Sequence, residues 1–452
     1  MNKKIKWMLK LMIPVIYLLI AHRSIGQTSP LSIKQAIDMA LTSNRSLKAD
    51  SFDISIQEAK NKELAGYYRP QVNYTSGMEY NPAIPSQMLP GDLVGQPTKD
   101  YVAVPFGSQY SMKSGVEVTQ TIYKKDLNIQ LRSRGLQMDI AKSKYNLSKE
   151  ELVYQVASTF YSLQNNAELI RTTNSDYQNL KEVLTIAKAQ FENGLLKRID
   201  YESLEINVAN KQSSLNQLKT QYNDQLAYFN YLLGLPVTAQ TFIEDRISAD
   251  IHPVDGSQFV LQREDIRLSN QMIQLKEEDI KKIRAEKSPS ISSYFRYNYQ
   301  SQFNDASKAF NRDYWFDAST VGVSVSIPLF DGHRRKNRIS AAQFQLEQLR
   351  LDNKHTEERA QMELFSATGT LSNDQEQYQI NKRNLALAER VFSTRKALYT
   401  EGVTTLVELL DAERELSESR TLYMQAMIDV QTGWLNVHKA KGTLLTDFLK
   451  SI

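Results

Sequence analysis

Two long helical patterns in this chain break at the same kind of motif, 208 residues apart. Phe191-Glu192-Asn193-Gly194 interrupts the first and Tyr399-Thr400-Glu401-Gly402 the second. A carboxylate follows each glycine by six residues, Asp200 and Glu408. Upstream, Tyr67–Val72 and Glu286–Ile291 each open a β-like stretch that leads into a second β-like segment and then into the helical run. A period of nearly half the chain is a domain-scale duplication rather than a short solenoid repeat. Whatever the fold is, the chain builds it twice.

The helical halves are free of proline. All twelve prolines lie at or before Pro105, between Pro236 and Pro289, or at Pro328. Interior proline breaks helices, so its absence permits long ones. Val153, Val156, Phe160, Leu163, Ala167 and Ile170 show three-four spacing, as do Leu385, Ala388 and Phe392. This pattern predicts amphipathic helices with coiled-coil-like seams. The stretch from Lys124 to Phe191 reads as one helix of about 100 Å, too long for a compact globule. Leu31–Tyr68 reads as a first helix with Ser32 as its N-cap.

Between the helices the period changes to two. Val72, Tyr74, Met78 and Tyr80 alternate with Asn73, Thr75, Gly77 and Glu79, and Val116 and Val118 with Gly115 and Glu117. Val321, Val323, Val325 and Ile327 alternate with Thr320, Gly322, Ser324 and Ser326. Around Phe295, Tyr297 and Tyr299 the alternation is less clean, because Tyr294 and Arg296 share the other face. Each run has about ten residues, the length of a tilted membrane strand. A soluble hairpin fits the alternation alone. The first pair is joined by a Pro/Gly-rich loop, Pro82–Pro105, and the second by the shorter Ser301–Arg312. Long loops on one side are an outer-membrane habit. Four strands cannot close a spanning barrel, and an open edge in lipid leaves backbone groups unpaired. Spanning strands therefore require a barrel shared among chains.

Composition excludes several classes. With 55 basic and 51 acidic residues the net charge is +4, which gives no basic face for nucleic acid. A mean hydropathy of −0.46 is too polar for a transmembrane helix bundle, whereas membrane barrels hide from such averages. Cysteine is absent, which removes disulfides, thiolate metal sites and a lipidated cysteine. Lys3, Lys4, Lys6 and Lys10, the apolar run Leu11–Ala21 and Ser24-Ile25-Gly26 read as a secretory signal peptide cut after about Gly26. The five histidines show no metal-ligand spacing, and there is no phosphate loop or nucleophile elbow. No enzyme activity, cofactor or metal site is expected. His333-Arg334-Arg335-Lys336 reads as an exposed helix start or a contact with anionic headgroups.

Helix, two strands and a broken helical hairpin, given twice, resemble the outer-membrane efflux protein (TolC) family. The likeness covers essentially the whole mature chain. Its most specific part is Leu398–Glu413, with Gln190–Asp200 as counterpart. The resemblance implies a mainly α fold with membrane β: long helices forming a periplasmic α-barrel, and four strands per chain in a shared 12-stranded outer-membrane barrel. It divides the chain into a signal peptide (1–26), a first repeat (27–236, hairpin about 70–123), a linker (237–258) and a second repeat (259–452, hairpin about 289–329). It implies a homotrimer in the outer membrane and its lipid, extending into the periplasm. Such a trimer is the exit duct of a tripartite efflux or type I secretion system, working with a periplasmic adaptor and an inner-membrane transporter. By family position, Asp200, Tyr399, Glu408 and Asp411 form the periplasmic gate, with the last two as acidic rings that favour cations. Gly194, Leu195, Leu196, Gly402 and Val403 are the hairpin tips that dock the adaptor. A family arginine two residues after the second glycine is Thr404 here, which leaves the charged lock to Lys197, Arg198 or Arg395. Two other readings stay open, a periplasmic adaptor and a structural coiled-coil protein of the envelope.

Overall fold

The computed structural model describes residues 30–244 and 263–451. The signal peptide, most of the inter-repeat linker and the expected helix start near Phe259 lie outside the described residues.

The chain divides into two compact units. The described part of the first comprises residues 30–52, 143–244, 263–267 and 354–451 and is helical. Helix α1 spans Ile33–Ser43 and α2 spans Arg45–Gly66. Ser32 closes a capping box with Gln35, the arrangement that satisfies two otherwise orphaned N–H groups. The single helix expected from Leu31 to Tyr68 is broken at Asn44. Its backbone is extended there, its side-chain oxygen accepts from Leu47 N–H at 3.0 Å, and its amide donates to the Leu232 carbonyl at 2.8 Å. A residue that caps the next helix and bonds a distant carbonyl ends the first.

Four long helices follow or complete the units: α3 (Lys125–Arg132) leading after Ser133 into α4 (Arg134–Glu192), α5 (Arg198–Leu232), α7 (Arg334–Thr400) and α8 (Leu406–Lys441), with α6 (Glu264–Ala285) preceding α7. The main core packs Ile37 and Ala40 of α1, Val153, Val156, Phe160 and Leu163 of α4, Phe229 of α5 and Leu435 of α8. Of the three-four residues of the sequence, Val153, Val156, Phe160, Leu163 and Ala388 are buried, and Ala167, Ile170, Leu385 and Phe392 half-buried. Among the described residues no helix is long and apolar enough to cross a membrane.

Helices α5 and α8 end alike. Gly234 and Gly442 both have φ of 73°. The following N–H bonds back to the carbonyl five residues earlier, Leu235 to Asn230 at 2.9 Å and Thr443 to His438 at 2.9 Å. This is a Schellman end, and glycine takes the left-handed position without a Cβ penalty.

The second unit comprises residues 53–142 and 268–353. Its four-stranded antiparallel sheet contains β1 (Gln71–Tyr80), β4 (Tyr110–Lys124), β5 (Ser290–Phe303) and β6 (Trp315–Ser326), in the order β1-β4-β5-β6. The register sorts the faces. Val72, Val118, Phe295 and Val321 form one cross-strand row; Asn73, Glu117, Arg296 and Thr320 form the adjacent one on the opposite face. Arg296, which blurred the alternation, donates to Glu117 at 2.6 Å. Tyr294 lies over Gly322, where a Cβ would sit 2.6 Å from the ring, so a large residue on one strand is matched by none on the next. The apolar face is exposed in the chain, with Val72, Tyr74, Val321 and Val323 all more than half accessible.

The Pro82–Pro105 segment, expected as a loop, contains a second hairpin, β2 (Ser86–Pro90) with β3 (Tyr101–Pro105). Two of its prolines, Pro90 and Pro105, stand at the last residues of the strands, where a missing donor is tolerated. In the same unit, Ile280 and Ile283 of α6 pack on Ala342 and Leu346 of α7, and Arg338 grips Glu286 with two bonds of 2.7 and 3.0 Å. The basic cluster begins α7: Asp331 accepts from Arg335 N–H at 3.1 Å, and His333 and Lys336 are exposed.

Candidate gate at the two helical breaks

The two breaks have one geometry. Gly194 and Gly402 both sit at φ 73°. Leu195 N–H bonds to the Gln190 carbonyl at 2.8 Å, and Val403 N–H to Leu398 at 2.9 Å. Each glycine ends its helix in the left-handed conformation and turns the chain toward the next. Thr405 caps α8, its hydroxyl accepting from Glu408 N–H at 3.3 Å.

The structure brings the breaks together in the helical unit. Leu180, Val183 and Ala187 of α4, Leu204 and Val208 of α5, Tyr399 of α7 and Leu406 and Leu409 of α8 share one buried cluster. Tyr399 is buried in it, and its hydroxyl donates to Gln190 Oε1 at 3.0 Å. Within the chain its bonding partner is thus Gln190 rather than Asp200. Asp200 still acts on it: burial first, and the Asp200 charge second, push the Tyr399 hydroxyl above its ordinary value.

The two acidic positions stay at the surface, and each has an arginine beside it. Arg395 reaches Glu408 at 3.0 Å, and Arg414 reaches Asp411 at 2.9 Å. The hydroxyl of Thr404, where the family arginine would stand, donates to Glu408. That bond, with smaller contributions from the Thr405 cap and from Arg395, holds the Glu408 carboxyl below its ordinary range. Of the three candidate replacements, Arg198 instead pairs with Glu202 at 2.8 Å.

Sequence reasoning missed the charges that tie the helices together behind the breaks. Arg420 of α8 bonds the buried Asp176 of α4 and lies 3.6 Å from Glu389 of α7. Lys211 of α5 reaches Glu413 at 2.9 Å and Ser417 at 2.9 Å, with both charged side chains mostly buried. Lys396 of α7 bridges to Glu182 of α4 at 3.4 Å. Apart from Glu389, which is 31 residues from Arg420, those partners are more than two hundred residues apart in sequence, beyond any local pattern. It also missed two tip residues. Leu195 and Ile199 on one hairpin, and Val403 and Val407 on the other, are all exposed, between 58% and 79%. They occupy the same two places after each glycine, so they were findable from the repeat. Leu196 is instead half-buried against the shared cluster.

Residues 36–235 and 256–443 match the profile of a family described as outer membrane efflux protein. The chain is 22% identical to the probable outer membrane lipoprotein SilC of Salmonella typhimurium, over 91% of this chain and 85% of that one. It is 23% identical to the cation efflux system protein CusC of Escherichia coli over 64% of each. Among solved structures, the outer-membrane channel OprN superposes with a TM-score of 0.72 at 19% identity, over 91% of this chain and 89% of that one.

Proposed function

Since the chain belongs to the outer membrane efflux protein family and is an outer-membrane efflux channel extending into the periplasm, we propose that three copies of it close one conduit. The observation that carries this reading is the sheet with two unpaired edges. Among the described residues, strands β1 and β6 have no partner strand on their outer sides in this sheet, while their apolar face is exposed. In lipid those edges must be paired. Three copies, the number that the family resemblance implies, give twelve strands, within the range of bacterial barrels. The exposed row of Val72, Val321 and their neighbours then faces lipid. The two halves act as structural repeats, and no bond is made or broken during transport.

The family supplies the outer-membrane component of tripartite efflux systems. In this reading the adaptor docks on the paired tips through Leu195, Ile199, Val403 and Val407, with Gly194 and Gly402 holding the reversals. Asp200, Tyr399, Glu408 and Asp411 surround the entrance that the tips close. Tyr399, held by Gln190 in a buried cluster, is the part of the gate that packs rather than attracts.

The absence of cysteine makes the assembly testable. Thr75→Cys on β1 and Ser324→Cys on β6, treated with a short bifunctional thiol reagent in outer membranes, should give a ladder that stops at three chains. A ladder that ends at two or runs past three overturns the three-copy barrel. Leu195→Asp with Val403→Asp should leave those trimers intact and reduce efflux at least about tenfold, since charge in an apolar contact is costly. Unchanged efflux would remove the tips from the docking surface.

A further inference from the structure

The carboxylates at the second tip are not bare anions. Arg395 lies on α7 one turn before Tyr399, and Glu408 lies in the first turn of α8. The break at Gly402 folds one back onto the other. Arg395 Nη1 donates to Glu408 Oε2 at 3.0 Å and to Thr404 Oγ1 at 3.2 Å. Thr404 donates to the same carboxylate oxygen. The Glu408 backbone is fixed by its bond to Thr405, at the helix end whose dipole favours a negative charge. Both side chains remain about half accessible, at 42% and 48%. An ion approaching this surface therefore meets a paired carboxylate and guanidinium.

An exposed ion pair contributes little to stability. Its effect is on the local field. Two carboxylates per chain with no counter-charge would put six negative charges on a three-fold entrance. Arg395 beside Glu408 and Arg414 beside Asp411 balance them within each chain, whatever the number of copies.

We propose that Arg395 is the counter-charge of Glu408 at the channel entrance, and so a residue that sets its ion selectivity: with Arg395 in place the entrance discriminates only weakly between cations and anions. Arg395 stands on the opposite arm of the hairpin from Thr404 and bonds both its hydroxyl and the Glu408 carboxylate. This rests on the reading of the α7–α8 tip as the constriction.

The test is the reversal potential of the assembled full-length channel in planar bilayers under a potassium chloride gradient. Wild type should show a cation-to-anion permeability ratio near unity, and Arg395→Gln should raise it by about threefold or more, because charged rings set such ratios. Arg395→Lys should stay near wild type. Glu408→Gln with Asp411→Asn leaves both arginines unopposed and should turn the channel toward anions. Adding Arg395→Gln to Glu408→Gln should not create cation preference, since no bare carboxylate is released. If Arg395→Gln leaves the ratio unchanged in a channel whose ratio moves with Glu408→Gln and Asp411→Asn, the proposal fails and the constriction stands. If the acidic double variant moves nothing, the constriction reading fails and takes the proposal with it. All these side chains are at the surface, and native gels of each variant confirm assembly.

Discussion

At the scale of single residues, one carboxyl in the helical unit away from the breaks titrates far from its ordinary value. Glu150 on α4 is pushed up to about 7. Burial is the largest cause, followed by the nearby Glu264 and Asp265, with Arg263 and Lys439 opposing. Arg263 is itself engaged by Asp265 at 2.8 Å and Glu363 at 2.5 Å, so little of its charge is left for Glu150. A carboxyl whose folded value lies above its ordinary 4.5 favours the fold while protonated. Its contribution is full below about 4.5 and is lost as pH rises through about 7. Glu150→Gln removes that loss. The variant should match wild type in thermal stability at pH 4 and exceed it at pH 8 by on the order of 1 kcal/mol after solvent screening. Melting followed by circular dichroism at the two pH values decides it, and equal melting at pH 8 would show Glu150 to be solvated. Nothing in the sequence around Glu150 marks it, because Glu264 and Asp265 reach it through the fold.

At the scale of elements, legibility followed period. The three-four pattern of Val153 to Leu163 and the two-period of Val72 to Tyr80 each report which face is buried or apolar, and both elements are where they were expected. Signals that depend on one residue were harder to read. Asn44 looks like any polar helix residue until its amide meets the Leu232 carbonyl, and the proline-flanked β2–β3 hairpin looks like a loop because Pro90 and Pro105 dominate the reading. The same held at the gate. The glycine breaks were visible as motifs, whereas the Arg395–Glu408 pair needs the turn between them. The hairpin changes where the loop can be probed. Gly91 is buried, and a Cβ there would lie 2.0 Å from the Lys99 carbonyl oxygen, so it tolerates no side chain. Pro97 and Thr98 are exposed at the end of the same turn. A short epitope between them should be labelled by antibody on intact cells. Labelling only after the outer membrane is permeabilised would invert the orientation of the strands.

At the scale of the whole molecule, the open sheet edges reach into genetics. A strand edge in a membrane cannot wait for a partner, because its unpaired N–H and C=O groups are costly to leave without water. In the three-copy barrel proposed above every edge is therefore completed by a neighbour, and one chain with a spoiled β1 or β6 leaves a gap that the other two cannot fill. Damage then spreads beyond the damaged copy. In a cell making equal amounts of intact and edge-broken chain, random mixing leaves only about one trimer in eight free of the defect, since closed symmetry needs all three contacts. A fault in this sheet would be inherited as a dominant trait. A fault on a solvent-facing helix surface, where each chain completes its own packing, would be masked by the good copy.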